Sequence, residues 1–213
     1  MIVAIESAST DLSVAIAADD GELLAVDDWR SAGRGAHELL PHLLALLARG
    51  GHRLDQAEAF AVGTGPGSFT GLRVGMSLAK GMALALGRPI VGVPSLEAWL
   101  AAEPDAPAAV ARAGARDAYL LLRRETTPRV VDRDELPVQA GAAAVVAPGE
   151  LAEAFGLAGA LPPAGAAAAV AAIAATRLAT NSGGDDLARL EPAYLRAPRG
   201  LGQLQQGEAM PWR

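Results

Sequence analysis

Gly63-Thr-Gly-Pro-Gly-Ser-Phe-Thr-Gly-Leu-Arg-Val-Gly75 stands between a short apolar run, Glu58 to Gly63, and a long helical pattern. The run reads as a strand, so the glycine-rich segment is a strand-to-helix loop. Glycine lets a chain take positive φ and lets another backbone or a phosphate come close. Ser68 or Thr70 can cap the helix that follows, and the free N–H groups of its first turn attract anions. It is not a Walker loop, which needs Gly-x4-Gly-Lys-Ser/Thr; here Arg73 follows Gly71-Leu72. On spacing alone, a phosphate cradle and a structural turn with a helix cap both stay open.

The helix that follows runs from about Thr70 to Leu86, with Gly87 as its stop and Pro89 just beyond. Gly71, Gly75, Ala79 and Ala83 form a four-residue ladder of small side chains. Leu72, Val74, Met76, Leu78, Met82, Leu84 and Leu86 are apolar almost all the way round, and a helix apolar on every side is buried on every side. One side can cover a sheet; the other needs a second domain or a partner subunit. A second leucine-rich helix runs from His37 to Leu47 and stops at Gly50-Gly51. The expected partner interface is Leu39, Leu40, Leu43, Leu47, Leu72, Gly75, Met76, Ala79, Met82 and Ala83.

Working outward, Ile2 to Glu6, Leu12 to Ala18 and Leu23 to Trp29 read as a three-stranded meander turning at Asp19-Asp20-Gly21. After the glycine-rich helix, Pro89 to Val93 is a further strand, and Ser95 is expected to cap a helix through Leu100. Meander, helix, strand, helix, strand, helix indicates a mixed α/β sheet with helices on it. Glu103 to Pro107 reads as a boundary between residues 1–102 and a smaller α/β unit, 103–199. In that unit Tyr119 to Leu122, Arg129 to Val131 and Val145-Val146 look like strands, and Ala164 to Thr180 a helix. Residues 200–213 are expected to form a flexible tail.

Composition narrows the chemistry. The chain has 213 residues, 49 of them alanine, with no cysteine, three histidines, a sole lysine at Lys80 and a net charge of −6. That excludes disulfides, thiolate zinc sites and a cysteine nucleophile. No signal-peptide pattern or bilayer-length apolar run occurs, which leads to the expectation of a soluble, cytoplasmic protein without membrane association. The acidic balance disfavours unaided nucleic-acid binding.

The loop from Gly65 to Gly75, continuing to Ala79-Lys80-Gly81, resembles the signature of the TsaB (YeaZ, glycoprotease-like) family. Ile5-Glu6-Ser7-Ala8-Ser9-Thr10, Arg34-x2-His37-Glu38-x-Leu40-Pro41, Pro89-Ile-Val-Gly-Val-Pro-Ser-Leu96 and Glu191-Pro-Ala-Tyr194-Leu-Arg196 add to the resemblance. It implies an actin-like ATPase, ribonuclease-H-like fold with two α/β subdomains and mixed sheets. It also implies an accessory subunit for N6-threonylcarbamoyladenosine formation on tRNA. Such a subunit binds the catalytic TsaD, works with the ATPase TsaE, and meets tRNA only through the complex. The helices at residues 39–47 and 72–86 would then pack on TsaD or on a second copy, with nucleotide at the subunit interface a possibility. Where the family carries Asp-Thr-Ser-Thr after the first strand, this chain has Glu6-Ser7-Ala8-Ser9.

Catalytic alternatives are an actin-like ATPase or kinase acting alone, or a peptidase. No His-Glu-x-x-His occurs, and His37 and His42 lie about 140° apart round a helix, so no metal site is expected. Glu6, Ser7, Ser9, Gly65, Gly67 and Ser68 are degenerate phosphate-type positions, but no glycine falls between Glu6 and Gly21. Ser68 sits in Gly-Pro-Gly-Ser-Phe, not Gly-x-Ser-x-Gly. The reading is a non-catalytic subunit with no intrinsic cofactor. Its signature loop is Gly65, Pro66, Gly67, Ser68, Phe69, Thr70, Gly71 and Arg73.

Overall fold

The computed structural model describes residues 1–31, 35–140 and 144–193. The meander forms as expected: β1 (Ile2–Glu6), β2 (Asp11–Ala17) and β3 (Leu23–Arg30) pair antiparallel. Gly21, at φ +91°, makes the turn between β2 and β3. Helix α1 (Gly35–Arg49) leads to β4 (Ala59–Gly63), which pairs parallel with β1. Helix α2 (Phe69–Leu86) then leads to β5 (Ile90–Val93), parallel to β4. The sheet order is β3-β2-β1-β4-β5, a mixed five-stranded sheet.

Alternation along these strands gives the sheet two unlike faces. Val3, Ile5, Val14, Ile16, Phe60 and Val62 point to one side, where buried residues of α1 and α2 complete the core. Ala4, Ala15, Ala17, Ala59 and Ala61 point to the other, against α6 (Ala166–Thr180). A face this rich in alanine, with Ile2, Val91 and Val93 as its larger members, leaves little depth, so most of the helix surface lying on it is small as well. Ala167, Ala171, Ala174 and Ala175 supply that surface. The alanine tract is therefore a close-packing device and not a habit of composition alone. The N-terminal amides of α6 are held by the sheet: Ser13 Oγ accepts from Ala167 N at 3.2 Å, and both Asp28 carboxylate oxygens accept from Gly165 N at 3.1 Å.

Helix α3 (Ser95–Ala102) carries the chain into a second sheet of β6 (Ala108–Arg112), β7 (Asp117–Leu122) and β8 (Arg129–Asp132), all antiparallel. Strand β6 was not expected, because Ala-Ala-Val-Ala-Arg has the composition of a helix. Val146 makes only isolated bridges to Ala109 and Leu161, short of the strand expected there. Helices α4 (Leu136–Ala140) and α5 (Gly149–Phe155) close this half over Val110, Leu120 and Val131. A further cluster joins the halves: Ala8 and Leu72 pack with Leu96, Trp99 and Leu100 of α3 and with Ala109, Tyr119 and Leu121 of the second sheet. Arg123 fastens the junction, donating to the carbonyls of Leu100 and Ala106 at 2.8 Å each. Residues 194–213, including the Tyr194-Leu-Arg196 motif and the expected tail, lie outside the described residues, as does Arg34.

Candidate functional site

Glu6 ends β1, and the turn Ser7-Ala8-Ser9 that follows lies against the glycine-rich loop. The two are in direct contact. Ser68 N–H donates to the Ala8 carbonyl at 2.6 Å. A Cβ added at Gly67 would lie 2.2 Å from that carbonyl oxygen; at Gly71 it would lie 2.1 Å from the Ser7 oxygen, and at Gly75 2.1 Å from Ser7 Oγ. The small-residue ladder is thus spent on the chain's own turn, and Ala79 and Ala83 continue it into the core.

The hydroxyls at the phosphate-type positions are similarly committed. Ser7 Oγ donates to the Gly71 carbonyl at 3.0 Å, Ser9 Oγ bonds to Asp11 backbone groups, and Ser68 Oγ accepts from Gly71 N as the cap of α2. Gly65, at φ +94°, gives its N–H to Ser95 Oγ at 2.9 Å. Ser95 is consequently the first residue of α3 and a clasp on the loop, not the expected cap; Pro94 holds the cap position without a side-chain bond. Of the signature loop, Phe69 and Thr70 face outward, with the Arg73 guanidinium 3.9 Å above the Phe69 ring.

Glu6 itself is 1% exposed. Its Oε1 accepts from Ala8 N at 2.7 Å, while Oε2 is buried without a hydrogen-bond partner. Burial pushes the carboxyl up to about 7, against the opposing pull of the Ala8 amide, the Ser95 hydroxyl and the Ser7 amide. The residues do not fit a metal–phosphate group: both loops touch, the hydroxyls are taken, and the carboxyl has no open side. Among the described residues no cluster of three or more His, Asp or Glu could hold a metal.

The second feature is the outer face of α1 and α2. Nine of the ten expected interface residues turn inward: Leu39, Leu43, Leu47, Leu72, Gly75, Met76, Ala79, Met82 and Ala83 are all buried within this chain. Only Leu40 is exposed. An all-round apolar helix hides which side faces the sheet, and here the small residues and methionines do. The outward apolar residues are Leu40 and Leu44 on α1 and Phe69 and Leu84 on α2, Leu84 at 72% exposure. Between the helices a shallow groove is lined by His37, Leu40, Pro41, Arg73, Val74, Ser77 and Leu78. The α1 side is braced on β3: Trp29 stacks on His42 with centroids 3.8 Å apart, Trp29 Nε1 donates to Glu38 at 3.0 Å, and His42 Nδ1 bonds Asp27 at 2.9 Å. This brace went unnoticed in the sequence, since nothing in spacing pairs residues 27 and 29 with 42.

A family model described as TsaD, tRNA N6-adenosine threonylcarbamoyltransferase, matches residues 32–154, more than half of the chain. The chain belongs to the TsaD family. Within it the resemblance to TsaB also holds. The tRNA threonylcarbamoyladenosine biosynthesis protein TsaB of Escherichia coli is 37% identical over 105 residues, which is 45% of this chain and 40% of that protein. TsaB of Haemophilus influenzae is 43% identical over 60 residues, 28% of this chain and 25% of that one. The solved structure of YeaZ from Pseudomonas aeruginosa superposes with a TM-score of 0.70 at 23% identity, over 91% of this chain and 99% of that chain. That likeness shows that this TsaD-family chain has the fold of YeaZ. Aligned segments span 28% and 35% of two mycobacterial relatives, less than two thirds of either. No helix among the described residues is long and apolar enough to cross a membrane.

Proposed function

We propose that this chain is a non-catalytic subunit that docks TsaD and supports N6-threonylcarbamoyladenosine formation on tRNA. The carrying observation is the outward face of α1 and α2. Leu40, Leu44, Phe69 and Leu84 are exposed on two adjacent helices, and Leu40 lines the groove between them; exposed apolar surface of this kind marks a protein contact. The partner is named by the TsaB resemblance. The closed contact between the Ser7–Ser9 turn and the Gly65–Ser68 loop supports the absence of independent nucleotide chemistry. TsaE supplies ATP hydrolysis in this reading, tRNA is met through the complex, and any nucleotide sits between subunits.

The test is reconstitution. Purified chain, cognate TsaD and TsaE are combined with tRNA and ATP, leaving out each component in turn, and modified adenosine is measured. Modification that requires this chain, with no ATP turnover by the chain alone, is expected. Full modification without it overturns the reading.

A further inference from the structure

The Glu6 carboxyl is left unexplained by the docking reading. It lies where three segments meet: the turn after β1, the loop after β4, and the first residue of α3. Oε1 holds the Ala8 amide, and a Cβ on Gly63 would come within 2.0 Å of Oε2 and 2.8 Å of Ser95 Oγ. Oε2 thus lies close to the Gly63 backbone and the Ser95 hydroxyl, yet makes no hydrogen bond in the closed joint. Burying a charged oxygen with no partner is costly, whereas a neutral carboxyl can place its hydrogen on Oε2 toward a neighbouring acceptor.

We propose that Glu6 is a proton-operated latch holding the Ser7–Ser9 turn against the Gly65–Ser68 loop, tight while its carboxyl is neutral and loosened once it ionises. Neutral Glu6 buries no charge in the closed joint, where Oε1 accepts from Ala8 N and Ser95 Oγ accepts from Gly65 N. Ionised Glu6 gains solvation only when the turn moves off the loop and water reaches Oε2, which breaks the Ser68–Ala8 hydrogen bond. Burial that raises the carboxyl to about 7 places this change in the neutral range.

Among the described residues, the charges on the elements packed round the latch are engaged elsewhere. β4 and β5 carry none. On β2, Asp11 pairs with Arg30 at 3.0 Å. On α2, Arg73 lies over Phe69 and Lys80 Nζ bonds the Leu190 carbonyl. On α3, Glu97 approaches Arg177 at 3.9 Å, and Asp185 beyond β5 accepts from Gly92 N.

Hydrogen exchange at the Ala8, Gly65 and Ser68 amides tests this, as protection factors corrected for intrinsic rates. Between about pH 5 and 8, protection of all three is expected to fall on the order of a hundredfold, most of it below the carboxyl's own midpoint. In Glu6→Gln it should be flat. Flat protection in the unmodified chain, or the same fall in Glu6→Gln, overturns the latch. If Glu6→Gln does not fold, the Glu6 carboxyl carbon shift of the unmodified chain decides. A midpoint near 7 supports the latch, and one at the ordinary glutamate value overturns it.

Discussion

The amide of Ser68 donates to the carbonyl of Ala8 at 2.6 Å, so the two loops that carry the phosphate-type positions are bonded to each other. That single contact turns a glycine-rich signature from a ligand cradle into a joint. The close approach depends on Gly67, whose Cα has no room for a substituent. Gly67→Ala should therefore destabilise the chain by about 2–3 kcal/mol, as overpacking against backbone does, measured by urea unfolding.

The pH dependence of stability follows from Glu6. Its carboxyl lies at about 7 when folded against an ordinary 4.5, so between those values the native state binds more protons than the unfolded chain. Stability then falls as pH rises from about 4.5 to about 7 and levels off above, a loss of about 3 kcal/mol. Unfolding free energies of Glu6→Gln measured across this range should lack that slope.

The alanine helix makes a prediction of its own. Ala171 and Ala174 of α6 are fully buried on an alanine-rich sheet face. Ala171→Leu or Ala174→Leu should cost about 1–3 kcal/mol, since neither layer can deepen. Thermal unfolding of these variants against an exposed control, Ala172→Leu, checks it.

Much of the first hundred residues was legible because their patterns are strong: an apolar run at β1, alternation along β2 with the Asp19-Asp20-Gly21 turn after it, leucines at helical spacing in α1, and Gly87 as a left-handed stop at φ +62°. Strand β6 was not, because its alanines favour helix and only pairing with β7 makes it a strand. The site was half legible. Glycines at 67, 71 and 75 announced close approach, but spacing could not say whether a phosphate, a partner or the chain's own turn was approaching. Nor could periodicity orient α2, since Met76 and Leu84 are equally apolar; only the sheet decides which is hidden.

The orientation of α1 and α2 separates folding from association. Leu40→Asp and Leu84→Asp alter exposed positions and should change stability by no more than about 0.5 kcal/mol. Truncating central apolar anchors of an interface commonly costs 2 kcal/mol or more, about a thirtyfold loss of affinity. Gly75→Asp, by contrast, should unfold the chain before it can report on any partner, because its side chain would enter the Ser7 turn.

Titration calorimetry of cognate TsaD into the folded chain tests the docking face most directly. A measurable complex with the unmodified chain, weakened at least tenfold by Leu40→Asp combined with Leu84→Asp while unfolding curves stay superimposable, is the expected result. Undiminished binding by the double variant, or no binding by the unmodified chain, would contradict it.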